Sequence, residues 1–306
     1  MRSVSRLALA AALAALGCGN LSNEDIAFLA ALPRAQDLRL EVPLADAQAS
    51  CAIGSAAEWR KAKDAGDAIN GGLGQVLAIV DAILGVSPTT RKDDLRVWGP
   101  FPDRSHPGVS VQVSILRFPP PPGAKSPEAW LYAFEEFREG VGWLTVLDGF
   151  FYGAQSKNGQ GELTIHFDAI AALGTNNPGD PTIPITIHYD LTGDPRTIQL
   201  DVGSGGALGL DPFQYFYAGY ASGSGRFEYA FTDASSNHLT IDAWFTAAGA
   251  GTATAAVRTA LGAQASLTEC WDANACLTYV QDPSLFTTYC GGVASCGSVA
   301  ACPQVP

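Results

Sequence analysis

From about residue 93 onward the apolar residues recur at every second position, and that period limits the fold more than anything else in the chain. Val109, Val111, Val113 and Ile115 alternate with Ser110, Gln112 and Ser114. Leu163, Ile165 and Phe167 alternate with Thr164, His166 and Asp168, and Ile185, Ile187 and Tyr189 with Thr186, His188 and Asp190. The same alternation runs through Ile198, Leu200 and Val202, through Phe227, Tyr229 and Phe231, and through Leu239, Ile241 and Ala243. Strand-like runs also lie near 128–137, 143–152 and 213–219. Successive strand side chains point to opposite faces, so each run buries one face and wets the other. Gly, Pro, Asn and Asp punctuate the runs, as in Asn176-Asn177-Pro178-Gly179-Asp180. About ten strands with short turns and no strand–helix–strand rhythm predict a mainly β (α+β) fold: a curled antiparallel sheet or half-barrel. Residues 250–265, rich in Ala, Gly and Thr, read as either strand or helix.

One long helix is expected before the sheet. Trp59, Ala62, Ile69, Leu73, Val76, Val80 and Ile83 recur at three- and four-residue steps over 55–84. Ser55-Ala56-Ala57-Glu58 fits a capping box, and Gly71-Gly72 is a place to kink. The far half is very apolar, which suits burial against the sheet. A short helix is expected at 26–32, capped by Ser22 or Asn23 and stopped by Pro33, with an extended tether over 33–50.

The first residues form a leader. Arg2 and Arg6 precede an uncharged apolar run, Leu7 to Leu16, too short to span a bilayer. It ends in Ala15-Leu16-Gly17-Cys18, which resembles the lipobox of bacterial lipoproteins, with Ala15 where Leu is usual. The resemblance implies cleavage of 1–17 and a lipid on Cys18; Gly19, rather than Asp, then favours the outer membrane of the cell envelope. Without Arg2 and Arg6, sixteen basic residues face thirty acidic ones, a formal charge of −14. That balance argues against nucleic acid as a partner and against docking on anionic lipid through a basic patch.

Six cysteines remain: Cys51, Cys270, Cys276, Cys290, Cys296 and Cys302. An even number in an exported chain suits disulfides, in a connectivity the spacing does not choose. The five-residue gaps between them are wider than zinc modules use. The resulting division is a leader at 1–17, anchor, short helix and tether at 18–50, a helix-plus-sheet domain at 51–269, and a cysteine-rich tail at 270–306, packed on the domain and open to a bridge with Cys51.

No catalytic or cofactor-binding residue stands out. Gly-x-Ser-x-Gly, His-Glu-x-x-His, Walker A and dinucleotide fingerprints are absent. Ser204 and Ser224 sit in Gly-rich turns, and Glu135, Glu136 and Asp148 read as ordinary surface acids. His166 with Asp168, and His188 with Asp190, share a strand face in matching frames and would offer zinc ligands if the strands pair in register; a solvated face is the plainer reading, so no metal is expected. Trp130, Trp143, Phe150, Phe151, Tyr152, Phe213, Tyr215, Phe216, Tyr217 and Trp244 read as sheet core, or else as the lining of a cavity for a hydrophobic ligand.

Two motifs, Arg96-Val97-Trp98-Gly99-Pro100-Phe101-Pro102-Asp103 and Glu269-Cys270-Trp271-Asp272, resemble those of a group of uncharacterised bacterial lipoproteins. The helix-on-curled-sheet architecture is similar to that of half-barrel lipoprotein carriers. The resemblance brings no activity with it. The sequence therefore predicts a non-enzymatic, lipid-anchored envelope protein with a structural or interactive role, an envelope protein being the expected partner. A carrier or sensor of a hydrophobic ligand is the alternative, and a hydrolase without a recognisable motif a weaker one.

Overall fold

The computed structural model describes residues 21–43, 51–83, 85–120, 122, 126, 128–176, 183–202, 213–232, 235–281, 290 and 295–305. Cys18, Ser204 and the 1–17 leader lie outside these, and so does the side chain of Phe213. Three α-helices occur among the described residues: α1 (Asn23–Ala30), α2 (Ala57–Ile83) and α3 (Phe167–Leu173). Fifteen strands follow the chain: β1 (Thr90–Arg91), β2 (Leu95–Pro102), β3 (Val109–Phe118), β4 (Ala129–Arg138), β5 (Gly142–Tyr152), β6 (Gln160–Ile165), β7 (Ile185–Asp190), β8 (Arg196–Val202), β9 (Phe213–Gly219), β10 (Gly225–Thr232), β11 (His238–Phe245), β12 (Gly251–Arg258), β13 (Gln264–Trp271), β14 (Leu277–Gln281) and β15 (Ser295–Gly297).

They form one antiparallel sheet, not closed, in which spatial order equals chain order. The mainly β class and the antiparallel pairing agree with the alternation. The count does not: among the described residues there are fifteen strands rather than about ten, and a third helix, α3, joins the short and the long one expected. The two edge strands are only two and three residues long, which leaves little open backbone to recruit another strand.

The chain divides into two compact units. The first holds the described residues of 21–39 and 70–192, the second those of 40–69 and 193–305. In the first, Val109, Val111, Val113 and Ile115 of β3 are buried, with Trp130, Tyr132 and Phe134 of β4 and Phe151 of β5. In the second, Tyr215, Phe227, Ile241, Ala243, Phe245, Leu267 and Trp271 fill the interior.

The aromatics share a packing device. Tyr132 of β4 lies directly opposite Gly149 of β5, Tyr189 of β7 opposite Gly161 of β6, Phe245 of β11 opposite Gly225 of β10, and Trp271 of β13 opposite Gly251 of β12. Each ring covers the facing glycine so closely that a Cβ there would overlap it. This cross-strand cover restores the buried area that glycine lacks. It also explains β12, whose composition left its state open: Gly251, Ala253 and Ala255 are small because they face inward beside large rings.

Several local expectations are corrected. The alternation through Phe167 stops at Ile165, and Phe167–Leu173 forms α3, closed by Gly174 in the left-handed conformation. Helix α2 runs unbroken through Gly71 and Gly72. The stretch read as a tether, over its described part, is packed: Leu38 is buried in the first unit, and in the second Leu40 is buried while Glu41 exchanges two 3.2 Å backbone bonds with the Tyr217 hydroxyl. The V-W-G-P-F-P motif is β2 itself. Trp98 is fully buried, donates Nε1–H to the Val86 carbonyl at 2.8 Å, and precedes a bulge. Gly99 there has φ +106° and a Cβ would stand 2.6 Å from the Val111 carbonyl, so the bulge requires glycine.

Gly251→Ala should cost about 1–3 kcal/mol, because its Cβ would lie 2.2 Å from the Trp244 carbonyl and 2.4 Å from the Trp271 ring. Gly71→Ala, exposed and with nothing within 4 Å of the new Cβ, should instead stabilise by about 0.5–1 kcal/mol. Chemical denaturation of both variants checks the pair; a neutral Gly251→Ala would remove the ring-over-glycine account.

Candidate functional site

The E-C-W-D motif is where the second unit's chemistry concentrates, and each of its residues has a partner. Leu267, Glu269 and Trp271 point inward from β13, placing an acid in the core. Glu269 is fully buried and its Oε1 accepts the Trp59 amide at 2.9 Å, on the first turn of α2. The amides of Ala57 and Glu58 also favour its charge, although Oε2 accepts no well-formed hydrogen bond among the described residues. A carboxylate at a helix N-terminus meets unpaired N–H groups and the positive end of the helix dipole. Burial outweighs them, and with neighbouring Glu58 it pushes the Glu269 carboxyl up to about 7.

This carboxylate replaces the expected capping box. Ser55 is taken up in a β-bridge with Cys276, and Glu58 pairs with Lys61 at 2.8 Å. Trp59, one residue on, enters a ring cluster with Trp271 at 5.1 Å, Phe245 at 5.5 Å and Phe227 at 5.7 Å. Trp271 donates Nε1–H to the Gly249 carbonyl at 2.9 Å. Asp272 Oδ1 accepts the Asn274 and Cys276 amides at 2.9 and 3.0 Å, setting the turn into β14. Cys270 bonds to Cys302, Cys51 to Cys276, and Cys290 to Cys296. The tail is thus stapled to β13, and the approach to α2 to the β13–β14 turn.

The first unit has a comparable feature at α1. Ser22 caps the helix: its hydroxyl accepts the Asp25 amide at 3.1 Å, and Asp25 Oδ2 accepts the Ser22 amide at 3.0 Å, a full capping box. Asp25 is fully buried and takes Arg96 Nε at 2.7 Å and Arg91 Nη2 at 3.1 Å. Burial opposes its charge, but the Ser22 amide, Arg96, the Ser22 hydroxyl and Arg91 together lower it to about 2. Glu24 pairs with Arg96 at 2.9 Å and Arg117 at 3.1 Å. Both guanidinium groups lie over Phe28, which meets Trp130 edge-on at 5.0 Å. Both clusters leave a signal in the sequence that the apolar alternation alone does not interpret. Arg96 stands in the inward row with Trp98, and Glu269 in the inward row with Trp271, charges where the alternation demands apolar residues.

The histidine frames do not converge. Strands β6 and β7 pair with Glu162 opposite His188, two rows from His166, so the two rings start about 13 Å apart along the strands. His166 pairs instead with Asp148 at 2.7 Å and His188 with Glu162 at 3.0 Å, on a partly exposed face. Asp168 lies in α3, off any strand. Among the described residues no group of three or more metal-ligating side chains gathers. Glu135 bonds Gln112 at 2.7 Å and Glu136 bonds Thr175 at 3.0 Å. Ser224 bonds Ser222 within a tight turn. The buried hydroxyls of Tyr132, Tyr189 and Tyr215 are pushed well up by burial, so none is a phenolate at neutral pH. In the first unit a cavity of about 10 Å³ is lined by Leu32, Pro33, Leu77, Val113, Tyr132 and Phe134, among others. That is room for about one water, against roughly 300–1,000 Å³ for a small-molecule site. Trp143 is exposed, while Phe150, Tyr152, Phe216 and Trp244 are half-buried.

Fold and site together define a class: a mainly β protein whose open antiparallel sheet is stapled by disulfides, and whose buried charges hold helices in place. No protein-family model matches the chain, and no curated protein or solved structure matches it either.

Because the folded pKa of Glu269 lies above its ordinary value, the group's contribution to stability is full below about pH 4.5 and is lost as pH rises through about 7. Glu269→Gln keeps an acceptor for the Trp59 amide without the charge. The stability of the wild type relative to this variant should fall by about 3 kcal/mol between those limits and then level off. Denaturant unfolding across pH 4 to about 8.5 reads this; parallel profiles would rule it out.

Proposed function

We propose that this is a lipid-anchored protein of the bacterial cell envelope, held at the outer membrane, with a structural or interactive rather than catalytic role. One observation carries the reading. The chain has seven cysteines, and six of them pair with one another, so Cys18, at the end of the lipobox-like leader, has no cysteine partner left in the chain. A thiol so placed suits acylation, and three disulfides suit an oxidising compartment outside the cytoplasm. Among the described residues no helix is long and apolar enough to cross a membrane, so attachment in this reading falls to the lipid.

The structural part of this reading is supported by where the distinctive residues go. Glu269, Cys270, Trp271 and Asp272 all serve local structure, as do Trp98 and Gly99.

Protein made in its native host should sediment with membranes and show acyl mass on an N-terminal Cys18. Cys18→Ser should move it to the soluble fraction. A wild-type chain without acyl mass, or one cleaved elsewhere, would contradict the anchor.

A further inference from the structure

The end of the first unit where α1 begins points to a face pressed against the lipid bilayer. Leu21, the first described residue, is three Cα–Cα steps from Cys18, a reach of at most about 11 Å whatever path the chain takes. Helix α1 starts two residues later, and it is not a free terminal helix. Asp25 is buried between Arg91 and Arg96, and Phe28 is buried against Trp130. If Cys18 carries acyl chains, the folded unit has almost no leash, and Ser22 has to lie within about 15 Å of the anchored residue, less than two screening lengths.

The chemistry of that surface fits the position. A chain with a formal charge of −14 would be repelled by anionic lipid over most of its exterior. Here the balance differs. Glu24, Asp25, Asp93 and Asp94 are matched by Arg91, Lys92, Arg96 and Arg117, four basic residues of the sixteen outside the leader. Arg91 and Lys92 are exposed, and the Lys92 ammonium has no ion pair among the described residues. Arg117 keeps its side chain 38% exposed. Ile26, 52% exposed in α1 and one residue from the Asp25 that Arg91 and Arg96 pair with, adds an apolar side chain to this end. Exposed cations beside an apolar side chain suit the phosphate level of a bilayer. The other end of the same unit, the β4–β5 turn with Val141 and Trp143, stands about 25 Å away along β4.

We propose that the Ser22–Ile26 turn, the β1–β2 turn at Lys92–Asp94 and Arg117 lie on the membrane that holds the acyl chains, and that the β4–β5 end faces away from it. This rests on the lipid anchor proposed above. The test is photo-crosslinking of the full acylated protein in vesicles of phosphatidylethanolamine and phosphatidylglycerol, with benzoylphenylalanine in place of Ile26 or of Trp143. Severalfold more lipid adduct from position 26 than from position 143 is the expected result, lost at position 26 when Cys18→Ser is added. Equal lipid adducts from both positions, or protein adducts instead of lipid at position 26, in chains whose mass includes the acyl groups, would overturn the proposed face while leaving the anchor intact. A chain without acyl mass would remove the anchor and the face together.

Discussion

A carboxylate on β13, an inner strand near one edge of the sheet, receives the first turn of the long helix, and much of the second unit is arranged around that contact. Glu269 reaches the Trp59 amide from inside the sheet, so the helix cannot shift by a residue without leaving a buried acid unanswered. Such an uncompensated buried charge costs several kcal/mol, more than most single contacts contribute. The rings then have defined places: Trp59 between Trp271, Phe245 and Phe227, and Trp271 over Gly251. The Cys51–Cys276 bridge and the Ala56 amide bond to the Ala275 carbonyl, 3.0 Å, hold the approach to the helix at the same spot. Cost and specificity come together, since burial raises the Glu269 carboxyl and taxes the fold at higher pH while fixing one register.

The first unit solves the corresponding problem with the acid on the helix. Asp25 of α1 is met by two arginines from β1 and β2, and here the arginines and the cap hold the charge where burial alone would not. In both units an acid in the interior marks the place where a helix is seated on the sheet.

The alternation made β3, β6, β7, β8, β10 and β11 legible, because each has bulky residues on one face and polar ones on the other. It failed where the physical cause of burial was different. Strand β12 buries Gly251, Ala253 and Ala255, and its small residues hide the period because neighbouring rings supply the bulk. Strands β14 and β15 lie in sequence that reads as loop, and disulfides rather than apolar runs hold that region. Phe167 continued the alternation in sequence, yet the chain turned into α3. The short helix at α1 was legible from its cap, but the packing of the stretch after it was not, since Leu38 and Leu40 are isolated leucines among polar residues. The functional candidates were hidden in the same way: matching His–Asp frames carried no information on register, and Arg96 and Glu269 were visible only as charges out of pattern.

Helix α1 is a rigid part of the first unit, so whatever is attached just ahead of it is coupled to the folded body. Amide hydrogen exchange of the full chain, followed by mass spectrometry on the peptide covering residues 22–32, tests this most directly. Protection comparable to that of β4, lost only when the unit opens as a whole, is the expected result. Exchange within seconds, at the rate of a fraying terminus, would show that the Asp25–Arg96 pairing does not hold the helix and that the body hangs on a loose leash after all.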